Sequence, residues 1–195
     1  MKTSILLSSV LLGSTLFTLK DFQLFSCKSN AVVSTLVHKH RNKSNLLPVG
    51  AVSIVIDKSD YELNVYDEQG WYATYPVVFG NNSLDDKKME GDRQTPEGTF
   101  RIISKRVHDK WNRYMAIDYP NKESYEKFNK RKERGEIPSS ARIGGGIGIH
   151  GTWPHDDFMI DRYNNWTWGC ISMKNSDVEE VYSFVPVGTR ITIRK

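Results

Sequence analysis

Apolar and polar positions along the chain alternate in short runs, with few of the three-to-four-residue repeats that mark long helices. Residues 53–57 and 62–66 are apolar-rich segments separated by Lys58, Ser59 and Asp60, a spacing that predicts a β-hairpin. Gln69-Gly70 marks a turn. Residues 71–79, dominated by aromatic and β-branched side chains, then predict a third strand that ends at Gly80-Asn81-Asn82. Pro96 and Gly98 fix a tight loop ahead of a fourth strand over 99–103, and residues 190–193 predict a closing strand. Two short helices are predicted besides. One lies between Asn121 and Gly135, where Tyr125 and Phe128 sit among Lys, Arg and Glu and Gly135 is the stop. The other covers 176–184, with Ser176 as candidate cap and Asp177, Glu179 and Glu180 near its positive end. The balance predicts a mostly β fold with short helices.

The N-terminal stretch breaks this pattern. Met1 and Lys2 precede an uncharged run of fifteen residues, 5–19, closed by Lys20 and Asp21. That is the pattern of a signal sequence, and it predicts an exported protein of the periplasm or cell envelope. The run is shorter than the roughly 20 apolar residues of a spanning helix, which leaves a retained anchor as the lesser alternative. Leu24-Phe25-Ser26-Cys27 loosely resembles a lipobox, so Cys27 is a candidate lipid attachment point and membrane anchor. Residues 27–48 are polar and basic, with His38, Lys39, His40, Arg41 and Lys43, and are expected to form a flexible tether. No acidic or Cys neighbour makes His38 and His40 a metal site. The predicted organisation is a signal sequence over 1–26, a tether over 27–48 and one domain over 49–195.

Composition narrows the partners. With 195 residues, 38% of them hydrophobic, the chain can bury one sizeable core. Twenty-seven basic against 23 acidic side chains leave a net charge of only +4, which gives nucleic-acid binding little support. Two cysteines in an exported chain suggest a disulfide, yet Cys27 lies at the leader junction and Cys170 in a glycine-containing segment far from it. An inert buried Cys170, a Cys27–Cys170 bridge and a reactive thiol all remain open on this count.

Chemistry concentrates between Ile143 and Met173. Gly148-Ile149-His150-Gly151 puts a histidine at the end of an apolar segment, and Thr167-Trp168-Gly169-Cys170 supplies a thiol twenty residues later. A cysteine is mostly protonated at neutral pH, and a neighbouring imidazole can generate the thiolate needed for acyl transfer. No acidic residue adjoins His150, so a backbone carbonyl such as that of Gly151 is the candidate group to fix its tautomer. Gly169 lets the backbone approach a tetrahedral intermediate, making the Cys170 amide and a neighbour the candidate oxyanion region. His155 is nearer to Cys170 in sequence but lies in a polar turn, and His108 beside Asp109 reads as a surface pair. The His and Cys spacing is not that of a zinc site, and no cofactor is implied.

These residues resemble a known catalytic motif. His150-Gly151, a 16-residue interval and Thr167-x-Gly169-Cys170 are similar to the L,D-transpeptidase motif of the YkuD type. Thr95-Pro96-Glu97-Gly98-Thr99-Phe100 resembles the family's Thr-Pro-x-Gly-x-Phe segment, and Val187-Gly188-Thr189-Arg190-Ile191 its closing strand. The resemblance covers Val49 to the C-terminus. It implies a β-sandwich-like catalytic domain in which Cys170 attacks the L-centre carbonyl of a peptidoglycan stem peptide, His150 is the base, and an amine receives the acyl group. The amine belongs to a second stem peptide or to an envelope protein. It also implies that carbapenems acylate Cys170. Where family members often carry His this chain has Trp168, and where many have Arg or Asn it has Ser172; with Thr167, these are the candidate substrate-binding residues. A hydrolase on the same scaffold, acting as an L,D-carboxypeptidase or cutting cross-links, would admit water to the same acyl-enzyme. The non-enzyme alternative is a wall-binding module that stacks sugars on Trp111, Trp153, Trp166 and Trp168.

Overall fold

Alternation of buried and half-exposed side chains, the two-residue period of a strand, builds the sheet that the sequence predicts. The computed structural model describes residues 47–195; the leader, Cys27 and nearly all of the tether lie outside the described residues. Strands β1 (Ser53–Asp57) and β2 (Glu62–Asp67) form the expected antiparallel hairpin, with Ile54, Ile56, Leu63 and Val65 turned inward. Strand β3 (Gly70–Pro76) pairs with β2. Next come β4 (Gly98–His108), β5 (Asn112–Ile117), helix α1 (Lys122–Glu133), β6 (Gly148–His150), helix α2 (Phe158–Asp161), β7 (Ile171–Ser172), helix α3 (Asn175–Phe184) and β8 (Arg190–Arg194).

The strands follow one order, β3-β2-β1-β8-β4-β5-β6-β7. β4 joins its halves. Its first four residues pair with β8, and from Ile102 onward it pairs with β5, across a register irregularity between Ile102 and Ser104. Such an irregularity bends a strand and lets it serve two neighbours. Ile54 and Ile191 from one half and Met115, Ile149 and Ile171 from the other belong to a single buried cluster. Each such side chain contributes on the order of 1.5–3 kcal/mol by leaving water. The domain is therefore mostly β with short helices. Among the described residues no helix is long and apolar enough to cross a membrane.

Several boundaries differ from the sequence reading. The third strand ends at Pro76 rather than 79, because Val78 leaves β2 and bridges to Ser172 instead. The fourth continues to His108, and β5, β6 and β7 are too short or too weakly alternating to stand out. Helix α1 has Asn121 as its cap, the side chain accepting from Ser124 N at 3.0 Å. Helix α3 starts one residue before the expected cap: Lys174 occupies the cap position, and the Ser176 hydroxyl donates to Asp177.

One loop bears on the site. Between β3 and β4 the Asp92 carboxylate accepts from the amides of Lys88 (2.7 Å), Met89 (3.0 Å) and Gln94 (2.9 Å) and pairs with Lys87 Nζ at 2.7 Å. Burial works to raise its pKa, and these donors together outweigh it, so the group stays ionised below the usual carboxylate range. Buried Lys58 holds the far end of the loop through Glu97 Oε1 at 2.7 Å and the carbonyls of Asp85 and Thr95. The loop is thus fixed against the cysteine segment.

Candidate active site

The site assembles from strands that the sequence reading passed over. β6 lies between β5, antiparallel with Tyr114 opposite His150, and β7, parallel with His150 opposite Ser172. Cys170 immediately precedes β7, two residues before Ser172, so strand alternation brings it to the face of the sheet that carries His150. Residues 150 and 170 are brought together by pairing of neighbouring strands.

His150 is 2% exposed and its Nδ1 lies 2.7 Å from the Gly151 carbonyl, the partner expected for it. With the proton on Nδ1 donated to that oxygen, Nε2 carries the lone pair. The ring is walled by aromatics: Trp111 stacks on it at 4.7 Å and 25°, Tyr114 lies 6.2 Å away, and Trp166 meets it edge-on at 5.6 Å. Burial in this cage drives the imidazole pKa down to about 4 against the opposing pull of the Gly151 carbonyl. His150 is a neutral base at any pH near neutrality.

Cys170 is a half-buried free thiol. Its Sγ donates to the Gly146 carbonyl at 3.5 Å. Burial pushes the thiol up from its ordinary pKa, opposed by a backbone hydrogen bond from Gly148 and by the charge of Lys87. Both shifts point the same way. Burial thus favours the neutral form of both the thiol and the imidazole.

The glycines at the site are demanded by close approach. A Cβ on Gly148 would come within 2.7 Å of both the Tyr114 ring and the Met115 carbonyl. Gly169, at φ +117°, would bring a Cβ within 2.7 Å of the Gln94 carbonyl. The Gly169 amide donates to Thr167 Oγ1 at 3.1 Å, and that hydroxyl donates to the Cys170 carbonyl at 2.8 Å. Thr167 is 3% exposed and Ser172 wholly buried, the Ser172 hydroxyl donating to Gly151 O at 3.4 Å. Expected at the substrate surface, both instead brace the turn before Cys170 and the carbonyl that holds His150. Small hydroxylated side chains in a tight turn and a central strand find backbone acceptors more readily than solvent. Trp168, by contrast, is 75% exposed.

Two contributors escaped sequence reasoning. Tyr114 donates its hydroxyl to Gly146 O at 2.9 Å, the same carbonyl that receives the thiol, and burial first, with Cys170 second, pushes its pKa up to about 12. Its only sequence signal is membership of β5, which the reading did not recognise. His108, read as a surface pair with Asp109, stacks on Trp111 at 4.4 Å and 11° and so stands behind the wall of His150. His155 does not take part: it sits at φ +67° in a polar turn. Among the described residues no group of His, Cys, Asp or Glu could hold a metal ion.

The family profile described as the L,D-transpeptidase catalytic domain, YkuD, matches residues 51–193. The chain belongs to the YkuD family of L,D-transpeptidase catalytic domains. The solved structure of the helical cell shape determining protein Pgp2 from Campylobacter jejuni is 25% identical, with a TM-score of 0.52, and the match covers 74% of this chain and 48% of that one. Bd1075 from Bdellovibrio bacteriovorus shares the fold at 19% identity and a TM-score of 0.52, over 80% of this chain and 51% of its own. An L,D-transpeptidase from Mycobacterium tuberculosis H37Rv does so at 15% and 0.50, over 74% and 58%. This chain thus spans about half the length of these relatives. No curated protein sequence matches it significantly.

Proposed function

We propose that the domain is a cysteine acyltransferase that forms a Cys170 thioester with a peptidoglycan stem peptide and passes the acyl group to an amine. The arrangement that supports this assignment is His150 on the strand face shared with Cys170, its Nδ1 tied to Gly151 O at 2.7 Å, which leaves Nε2 free to act as the acceptor. Nε2 takes the Sγ proton as sulfur adds to the carbonyl carbon at the L-centre. The oxyanion is met by the amide of Cys170, for which the turn supplies no acceptor among the described residues. Collapse breaks the C–N bond, and the leaving amine takes the proton from His150. The acceptor amine then attacks the thioester, gives its proton to His150, and the thiolate leaves and is reprotonated. Water in place of the amine would release a carboxylic acid by the same steps.

Similarity to a helical cell shape determining protein supports wall remodelling as the setting. The substrate lies outside the cytoplasmic membrane, which agrees with export by the leader and with an envelope or periplasmic site, Cys27 being the candidate anchor. Acceptors are a second stem peptide or an envelope protein. The test is incubation with purified disaccharide tetrapeptide and mass analysis. Dimer formation or exchange of the terminal residue is expected, abolished by Cys170→Ala with the fold intact; loss of the terminal residue alone identifies the hydrolase. Unchanged turnover in Cys170→Ala removes the assignment.

A further inference from the structure

We propose that Arg93 is a specificity-determining residue that recognises a carboxylate of the bound peptide, an inference that rests on the acyl-transfer reading above. Arg93 belongs to the loop that abuts the cysteine turn, the next residue's carbonyl lying against Gly169. It is a non-glycine residue at φ +57°, a conformation held by the Asp92 hydrogen bonds on one side of it. The guanidinium touches the cysteine segment itself. Nε donates to Thr167 O at 3.3 Å and Nη2 to Trp166 O at 3.4 Å, both long.

Its plane is paired with the Trp168 ring, 5.3 Å from Cζ to the ring centroid. The cation is left without an anion. Among the described residues no carboxylate forms an ion pair with Arg93, because its acidic neighbours are taken: Asp92 by Lys87, Glu90 by Arg142 and Asp86 by Arg131. Among the described residues Nη1 has no hydrogen-bond partner. A half-buried guanidinium, positioned by two carbonyls and a tryptophan and lacking a counter-ion, matches a planar carboxylate presented with two oxygens. Cys170 is three residues beyond Thr167, so that carboxylate belongs to the peptide being attacked. Trp168 then has a role in this chain: its exposed ring holds the guanidinium in place.

The carboxylate is either the peptide's C-terminus or one borne on a side chain, and one set of measurements separates them. Binding is read by calorimetry in a Cys170→Ala background, so the result does not require turnover. Three peptides are compared: the disaccharide tetrapeptide, its C-terminal carboxamide, and the form with side-chain carboxylates amidated. Arg93→Ala should weaken the unmodified peptide by about tenfold or more, the worth of a charge-assisted hydrogen bond, and Arg93→Lys should restore part of it. Against the peptide lacking the recognised carboxylate, Arg93→Ala should bind as the Arg93 protein does, which names the source. A merely structural clip would weaken all three peptides equally, and that result overturns the proposal, as does equal affinity throughout or no binding to any peptide. Urea midpoints and iodoacetamide labelling of Arg93→Ala with Cys170 present establish that the fold and thiol are intact. Carboxylate-dependent binding without turnover by the Cys170 protein would sink the acyl-transfer reading alone.

Discussion

The aromatic cage around His150 should make the protein acid-sensitive by an amount that one substitution removes. An unfolded histidine titrates near its ordinary value of about 6.5. In the folded protein burial holds His150 at about 4. Above the unfolded value both states are neutral, and the full stability is present. As the pH falls below it the unfolded chain takes up a proton that the folded chain refuses, so stability is lost progressively until the folded pKa is reached. Between pH 7 and pH 4.5 the linkage amounts to about 2–3 kcal/mol. His150→Gln keeps a polar planar side chain and has nothing to titrate. Urea unfolding of both proteins at the two pH values is the assay. With a urea slope of roughly 1–3 kcal/mol per molar, the wild-type midpoint should fall by about 1 M or more beyond the fall seen in His150→Gln. Carboxylates and the remaining histidines contribute to both proteins and cancel. If the two midpoints move in parallel, within about 0.5 kcal/mol, the imidazole is not desolvated as the stacking of Trp111 and Trp166 requires.

Three further outcomes follow from the same geometry. Excess carbapenem should add one adduct per chain at Cys170, absent in Cys170→Ala and slower to form in His150→Ala; intact-mass analysis with peptide mapping reads it, and an adduct elsewhere refutes the nucleophile. Gly148→Ala should destabilise by about 1–3 kcal/mol in urea unfolding, because its Cβ would meet the Tyr114 ring and the Met115 carbonyl at 2.7 Å; an unchanged midpoint would mean that β5 and β6 yield easily. On tetrapeptide, His150→Ala should lower kcat/KM by at least roughly a hundredfold, since a positioned base contributes on that order.

How far the sequence shows this arrangement depends on what kind of interaction fixes each part. The β1–β2 hairpin and α1 were legible because local signals decide them: alternation around Lys58-Ser59-Asp60, and Gly135 at a helix stop. The segment holding His150 and Cys170 was legible as a family motif, and the family profile covers both positions. Strands β6 and β7 were not, because three and two residues carry no period, and they exist only by pairing with β5 and with each other. Thr167 and Ser172 were misplaced for the same reason. Their hydroxyls bond to the Cys170 and Gly151 carbonyls, contacts that a string of residues does not display. The Cys170 turn also rests on Arg93 and Gln94, more than 70 residues earlier, and no local signal connects the two.

The direction of the two pKa shifts has a consequence for how the reaction starts. An imidazole at about 4 and a thiol above its ordinary value leave the proton on sulfur, so a standing thiolate–imidazolium pair is disfavoured by the burial that surrounds both groups. Proton transfer to Nε2 becomes favourable only as negative charge moves from sulfur onto the carbonyl oxygen of a bound peptide, where backbone donors receive it. On the acyl-transfer reading proposed above, substrate binding thereby activates the nucleophile. The same walls, Trp111, Tyr114 and Trp166, that make His150 a weak base in the resting enzyme exclude the water that would otherwise stabilise the separated charges. A thiol kept protonated in this way is also slow to oxidise, because the thiolate is the reactive form. A small neutral alkylating agent should therefore label Cys170 slowly, while an acylating agent that fills the cleft reacts fast. Rapid labelling by iodoacetamide at neutral pH would mean a standing thiolate, and with it an imidazolium that the cage geometry does not favour.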